Sequence, residues 1–285
     1  PNILVTLDDS GSMGRHYMPD ERPFDNASWG ARDDQNNIHN NNYAYNTPWL
    51  CAPVIDVRNA DPNSPRALPM NGVYYNPNVT YRPPLRADGV TPFPTPTFTA
   101  AWNNGILHNR PNSPIDHGTL RSDGANGSER GSRNLATARF CTTSTANGGP
   151  AYYRLRDGIT LTVDALGVIT NTATLYNAAN WERVPVPPSQ YTNFAIWWSY
   201  YHTRALTAAT AMTLAMAPFD ENVRVAWQNL NSNQATSTTP IYNFANAAVN
   251  ANVRDRFYDW LYQIRVGGST PTLTATIRAG SFFDN

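Results

Sequence analysis

The sequence predicts an α/β fold: an open sheet interrupted by a large loop-rich insertion that contains a β-hairpin. Three observations lead there. The opening "NILVTL" is a short aliphatic run that enters the polar turn "DDSGSM", the pattern of a buried parallel strand. From Gly14 to Gln190 the chain is crowded with Asn, Pro, Gly, Ser and Tyr and loses helical periodicity. Beyond Gln190, helical and extended patterns alternate again. Residues 1–13 and 191–285 are therefore expected to build a partial α/β domain, with 14–190 as an aromatic, Asn/Pro-rich insertion.

Taken in order, the strand Asn2–Leu7 delivers its polar cluster to the carboxyl edge of the sheet. Open α/β sheets bind ligands in the crevice beyond that edge. The insertion repeats turn signals such as "DPNSP", "YNPN", "ADG" and "NGG", yet it is too aromatic for a disordered chain. "NNYAYNTPW", "NGVYYNPNVTYRPP" and "AYYRLRD" supply rigid anchors, with Tyr74 and Tyr75 expected among the buried ones. "GITLTVDALGVITNTATLY" alternates apolar and polar residues on both sides of Asp164–Gly167, which predicts the hairpin.

"NFAIWWSYYHTRALTAATAMTLAM" then sets Phe194, Trp197, Trp198, Tyr201, Ala205, Ala208, Ala209 and Met212 at helical spacing. It predicts one long helix, N-capped by Thr192 or Asn193 and stopped by Pro218. "NVRVAWQNL" and "TPIYNF" read as strands, and "NVRDRFYDWLYQIR" as a helix with Val253, Phe257, Trp260 and Ile264 on one face. "GGSTPTLTATIRAG" follows as a Gly-rich turn into a short helix, with Thr270 near its start.

Composition removes several classes. A chain of 285 residues is long enough to bury a sizeable core. Lys+Arg and Asp+Glu are balanced at 21 each, and there is no lysine, so every fixed positive charge is an arginine. Nucleic-acid binding needs a concentrated basic surface, for which there is no sign. The longest uncharged apolar stretch, Ala205–Phe219, is shorter than the roughly 20 residues of a membrane-spanning helix. No signal peptide is read ahead of the first strand, so Pro1 is taken as a mature or trimmed terminus. Cys51 and Cys141 are too few for a disulfide scaffold and lack Cys-x-x-Cys spacing. One bridge between them stays open at this point.

The chemistry concentrates in the first turn. Asp8, Ser10 and Ser12 alternate, so their side chains can converge above the strand end while Gly11 keeps the backbone tight. Carboxylate and hydroxyl oxygens are hard ligands that suit Mg²⁺, Ca²⁺ or Mn²⁺ better than zinc. An EF-hand loop starting at Asp8 would need Glu where Pro19 stands, and neither a Gly-x-Ser-x-Gly elbow nor His-Glu-x-x-His occurs. For an isolated Asp-x-Ser-x-Ser the plainer reading is a cap on the next segment.

Context favours the ligand reading. "LVTLDDSGSM" and "GGSTPT" resemble the first two loops of the metal-ion-dependent adhesion site of von Willebrand factor type A domains. The resemblance implies a Rossmann-like fold and a divalent cation, Mg²⁺ foremost with Ca²⁺ or Mn²⁺ as alternatives. Its ligands would be Ser10, Ser12 and Thr270, with Asp8 acting largely through water and a partner carboxylate completing the shell. Thr270 is preferred to Ser269 because it directly precedes Pro271, matching the family's Thr-Pro pattern. The family's third loop, usually Thr-Asp-Gly at the end of the next strand, has no counterpart up to Asn285. Asp284 is not assigned in its place, so the site and sheet are expected to be incomplete in this chain.

"NGVYYNPNVTYRPP", "NFAIWWSYYHTRALTAATAM", "VRVAW" and "FYDWLYQIRVGGSTPT" narrow the resemblance to the N-terminal region of PilY-type tip adhesin and assembly proteins of type IV pili. In that family an A-like domain carries a long insertion after its first metal loop, and a β-propeller follows. The resemblance implies a non-enzymatic protein, exported through the periplasm to the pilus tip. There it would work with minor pilins in assembly and contact host or abiotic surfaces. Export in turn implies a Cys51–Cys141 disulfide. Two other readings stand beside it: a metal-independent assembly factor with a vestigial loop, and a divalent-metal-dependent hydrolase using Asp8 or Asp9. A phosphoaspartyl enzyme would want a carboxylate at Ser10.

Overall fold

The computed structural model describes residues 1–14, 72–109, 131–136, 150–165, 170–175, 177–231, 241–244, 253–264, 266–267 and 269–283. The strands are β1 (Asn2–Leu7), β2 (Ala101–Trp102), β3 (Ser132–Arg133), β4 (Ala151–Leu155), β5 (Trp181–Pro185), β6 (Arg224–Asn229) and β7 (Tyr242–Asn243). The helices are α1 (Gly105–Asn109), the single turn α2 (Thr172–Leu175), α3 (Tyr191–Tyr201), α4 (Arg204–Met216), α5 (Val253–Tyr262) and α6 (Thr272–Ser281). It is a mixed α/β protein. Among the described residues the strands form three small sheets, ordered β1-β6-β7, β2-β3 and β4-β5.

The β1-β6-β7 sheet organises the rest. β1 and β6 run parallel from Asn2↔Arg224 to Leu7↔Asn229, and β7 adds antiparallel at the start of β6. Parallel neighbours need a crossover, and α3 and α4 lie within it. Side chains alternate across the sheet. Val5, Leu7, Val225 and Trp227 face a core shared with Leu206, Ala209, Met216, Phe257 and Leu261. The opposite phase, Ala226 and Gln228, is covered by α6 through Ala275. That face is less deeply covered, which leaves Leu4 half-buried and Thr6 exposed.

The expected long helix is two. α3 ends at Tyr201 and α4 begins at Arg204, with Thr203 as its N-cap accepting the Leu206 N–H at 3.1 Å. The interruption is held by side chains that satisfy the last carbonyls of α3. Thr207 Oγ1 donates to Tyr201 C=O at 2.6 Å, Thr210 Oγ1 donates to Tyr200 C=O at 2.8 Å, and the His202 ring nitrogen Nδ1 pairs with Trp198 C=O. The start also shifts. Asn193 is inside α3 and caps nothing: its amide donates to Val79 C=O at 2.8 Å, while its Oδ1 accepts the Tyr81 N–H at 2.9 Å. The residue read as a helix start thus ties the helix to the insertion.

The hairpin also lies elsewhere than expected. Its arms are β4 and β5, paired antiparallel from Ala151↔Pro185 to Leu155↔Trp181. The alternating segment is the long connection between them, and part of its expected turn lies outside the described residues. Thr170 N–H does reach Thr162 C=O at 2.8 Å, but α2 follows in place of a second arm. The physical reason is burial: Val163 is 56% exposed, so alternation there has no core to face, whereas Ala151 is fully buried.

A second core joins the insertion to α3. Tyr75, Phe98, Ala101, Leu135 and Val186 pack with Phe194, Ala195, Trp197 and Trp198. Tyr75 is buried and Tyr74 half-buried, the latter with its hydroxyl on Ala151 C=O and its ring 5.1 Å edge-on from Trp197. Gly105 lets α1 sit directly on α3, since a Cβ there would lie 2.4 Å from Tyr200 Cε1. Gly89, at φ +73°, turns over the Arg254 guanidinium, which reaches beneath it to Ala217 C=O at 2.6 Å.

Candidate functional site

The strand β1 carries its alternation into the first turn. Val5 and Leu7 face the core, and Asp9, two residues on, is only 2% exposed. Asp8 falls in the other phase and is half-buried. Two adjacent carboxylates therefore enter different surroundings. Asp8 Oδ1 accepts the Ser10 N–H at 2.8 Å, an Asx turn that folds the chain back on itself. Met13 N–H then bonds Ser10 C=O at 3.0 Å and opens the 3₁₀ turn Gly11–Gly14, which contains Ser12. Ser10 is 1% exposed.

Asp9 is satisfied from two directions. Its Oδ1 accepts the Asn231 N–H at 2.6 Å, and its Oδ2 accepts the Asn229 amide at 3.0 Å. A buried carboxylate needs such donors to offset its lost hydration. Its backbone C=O accepts the Gly267 N–H at 2.8 Å, and the Asn231 amide donates to Gly267 C=O at 2.9 Å. The first turn, the end of β6 and the segment leading to Thr270 are thereby joined at one point.

The helix after that segment is docked by polar contacts. Arg278 donates from Nη2 to Asn229 C=O at 2.8 Å and Leu230 C=O at 3.1 Å, and from Nε to Gln228 Oε1 at 3.1 Å. Gln228, fully buried, donates to Thr6 Oγ1 and Ala275 C=O, each at 2.9 Å. Trp260 Nε1 donates to Asn229 Oδ1 at 2.6 Å and ties α5 to the same strand end.

The structure thus sets Asp8 and Ser10 in one turn, with Ser12 in the next. The loop bearing Thr270 is tied to that turn through Gly267 and Asp9. Thr270 and Ser269 are exposed. Cys51, Cys141 and Asp284 lie outside the described residues. No group of three or more His, Cys, Asp or Glu that could hold a metal occurs among the described residues. Of the candidate ligands, Asp8, Ser10 and Thr270 carry hard oxygen donors of the kind that suit Mg²⁺, Ca²⁺ or Mn²⁺. Sequence reasoning missed Asp9, Asn229, Asn231 and Arg278 as structural members of this edge. For Asp9 the signal was present, since it continues the inward phase of Val5 and Leu7.

Fold and site define a class: a mixed α/β protein with a hydroxyl-rich turn at the carboxyl end of a parallel strand pair. The chain is a PilY1-type sequence. It is 31% identical over 290 residues to the type IV pilus biogenesis factor PilY1 of Pseudomonas aeruginosa strain PAK, covering 99% of this chain and 21% of that protein. PilY1 of strain UCBPP-PA14 is 30% identical over 296 residues, covering 99% of this chain and 20% of that protein. PilY1 of strain PAO1 is 30% identical over 289 residues with the same coverage of each. The chain spans about a fifth of the length of the curated relatives it matches. No family model and no solved structure matches it. Among the described residues no helix is long and apolar enough to cross a membrane.

Proposed function

We propose that this chain is the cation-dependent, adhesive part of a type IV pilus biogenesis protein, exported through the periplasm and displayed at the pilus tip. The pilus assignment rests on the similarity to PilY1 along 99% of the chain. The observation that supports a cation site is the Gly267 N–H to Asp9 C=O bond, which holds the loop of Thr270 against the turn of Asp8, Ser10 and Ser12. Ser10, Ser12 and Thr270 would hold the cation, with Asp8 acting largely through water. Because three of these four groups are neutral, a divalent ion there keeps net positive charge and attracts a carboxylate from a partner. Its chemistry is coordination, with no turnover.

In this reading minor pilins are the assembly partners, and a host or abiotic surface is the adhesion target. A Cys51–Cys141 disulfide would brace the insertion, contributing roughly 4 kcal/mol in the chain-entropy model for a loop of that length. Calorimetric titration with Mg²⁺ and Mn²⁺ tests the cation site. Wild-type protein is expected to bind one ion per chain and Ser12→Ala none. Indistinguishable titrations of the two would discard the cation and leave a metal-independent assembly factor whose aromatic insertion makes the contacts.

A further inference from the structure

We infer that Asp9 is a positioning residue that sets the spacing between the two loops of the proposed cation site without itself being a ligand. This rests on the cation reading above only for its functional consequence; the geometry stands alone. Adjacent carboxylates in an Asp-Asp pair look interchangeable in sequence, and the structure separates them. Asp8, half-buried, bonds only within its own turn in the contact described, to Ser10 N–H two residues away. Asp9, 2% exposed, reaches more than 200 residues along the chain to the amide of Asn229 and the backbone of Asn231. Both of its carboxylate oxygens accept these bonds and are turned to the end of β6.

The consequence follows from a closed circuit. Asp9 Oδ1 holds Asn231 N–H, the Asn231 amide holds Gly267 C=O, and Gly267 N–H returns to Asp9 C=O. The same residue grips the second loop directly through its backbone and indirectly through its side chain. Thr270 lies three residues beyond Gly267 and is itself exposed, so its approach to Ser10 and Ser12 depends on where this circuit places the loop. Asn229 extends the fixture to α5, because its Oδ1 accepts Trp260 Nε1–H while its amide serves Asp9. A site whose ligands come from separate loops needs such a rigid support to be preorganised.

Asp9→Asn tests this. The amide keeps the size of the carboxylate but presents one NH₂ where two donors now converge, so one of the two bonds must open. Hydrogen exchange on the metal-free protein is the first readout. Exchange at Asn231 and Gly267 should accelerate at least tenfold, while the amides of Val225 and Trp227 in mid-strand stay unchanged. Mg²⁺ titration is the second: affinity should fall about tenfold with one ion per chain retained, in contrast to complete loss in Ser12→Ala. Unchanged exchange at Gly267 overturns the inference, and so does loss of stoichiometric binding without any change in exchange, which would make Asp9 a ligand. If wild-type protein binds no cation but exchange responds as described, the positioning role stands and the cation reading falls. Should Asp9→Asn fail to fold, Asn231→Ala removes only the side-chain arm to Gly267. It must still speed exchange there, and protection equal to wild type would refute the circuit.

Discussion

Helices α3 and α6 are nearly equal in length, eleven and ten residues, yet α3 buries seven consecutive residues from Phe194 to Tyr200 and α6 buries Ala275 alone. A helix that is apolar all round must be covered all round. α3 meets this condition because the sheet side takes Ile196 and Tyr200 while the insertion takes Phe194, Ala195, Trp197 and Trp198. α6 flanks the opposite face of the sheet, where Arg278 and Gln228 fix it by hydrogen bonds and Leu273 and Ile277 stay 75% and 66% exposed. The difference separates two tasks. Aromatic packing around α3 carries stability, and polar contacts around α6 place the loop that carries Thr270.

This contrast predicts a steep ranking of mutational effects. Phe194→Ala should be the most damaging, by about 3–5 kcal/mol in chemical denaturation, because the ring is fully buried between Tyr75 at 4.8 Å and Trp197 at 5.0 Å. A loss no larger than that of a surface change would mean the second core does not carry the fold.

Alkaline pH attacks the core that Tyr200 and Tyr262 share with the sheet and that Tyr81 packs against. Burial pushes Tyr81 up from 10.0 to about 12, and burial raises Tyr200 and Tyr262 as well. The fold therefore prefers the protonated phenols. Their contribution is fully present below pH 10 and is lost as the pH climbs towards about 12. Unfolding midpoints measured against pH should be flat with respect to these groups below that window and fall within it. A flat profile through it would contradict their burial.

Gln228→Leu comes next, at about 1–3 kcal/mol, since it strips Arg278 Nε and Ala275 C=O of a buried partner. Increased proteolysis near α6, with the insertion still resistant, would locate the damage where the comparison puts it. Thr203→Ala removes the N-cap of α4 and should cost about 1 kcal/mol in thermal unfolding. Leu273→Ser, on the exposed side of α6, should stay within about 0.5 kcal/mol of wild type.

Much of the architecture was legible in the sequence for identifiable reasons. β1, β6 and α5 carry strong periodic patterns, and the Gly-rich turn before α6 announces itself. The break between α3 and α4 did not, because apolar residues keep helical spacing through Tyr201 and Ala205. What ends α3 is a set of Thr and His side chains bonding back to its carbonyls, which only the folded chain brings together. Asn193 misled for a related reason: Asn is a common N-cap, and here its amide is used across more than 100 residues to hold Val79 and Tyr81. At the site, the turn motif marked Asp8, Ser10 and Ser12, but the partners of Asp9 lie beyond the reach of local pattern.

The central claim is that hydroxyls from two loops meet on one cation at the carboxyl edge of the sheet. Crystals grown with Mn²⁺ and measured at the manganese edge test it directly. The account predicts one anomalous peak at this edge, with the Ser10, Ser12 and Thr270 hydroxyl oxygens within about 2.0–2.4 Å and the Asp9 carboxylate outside that shell. A peak elsewhere, or none at millimolar Mn²⁺ in well-ordered crystals, would contradict it.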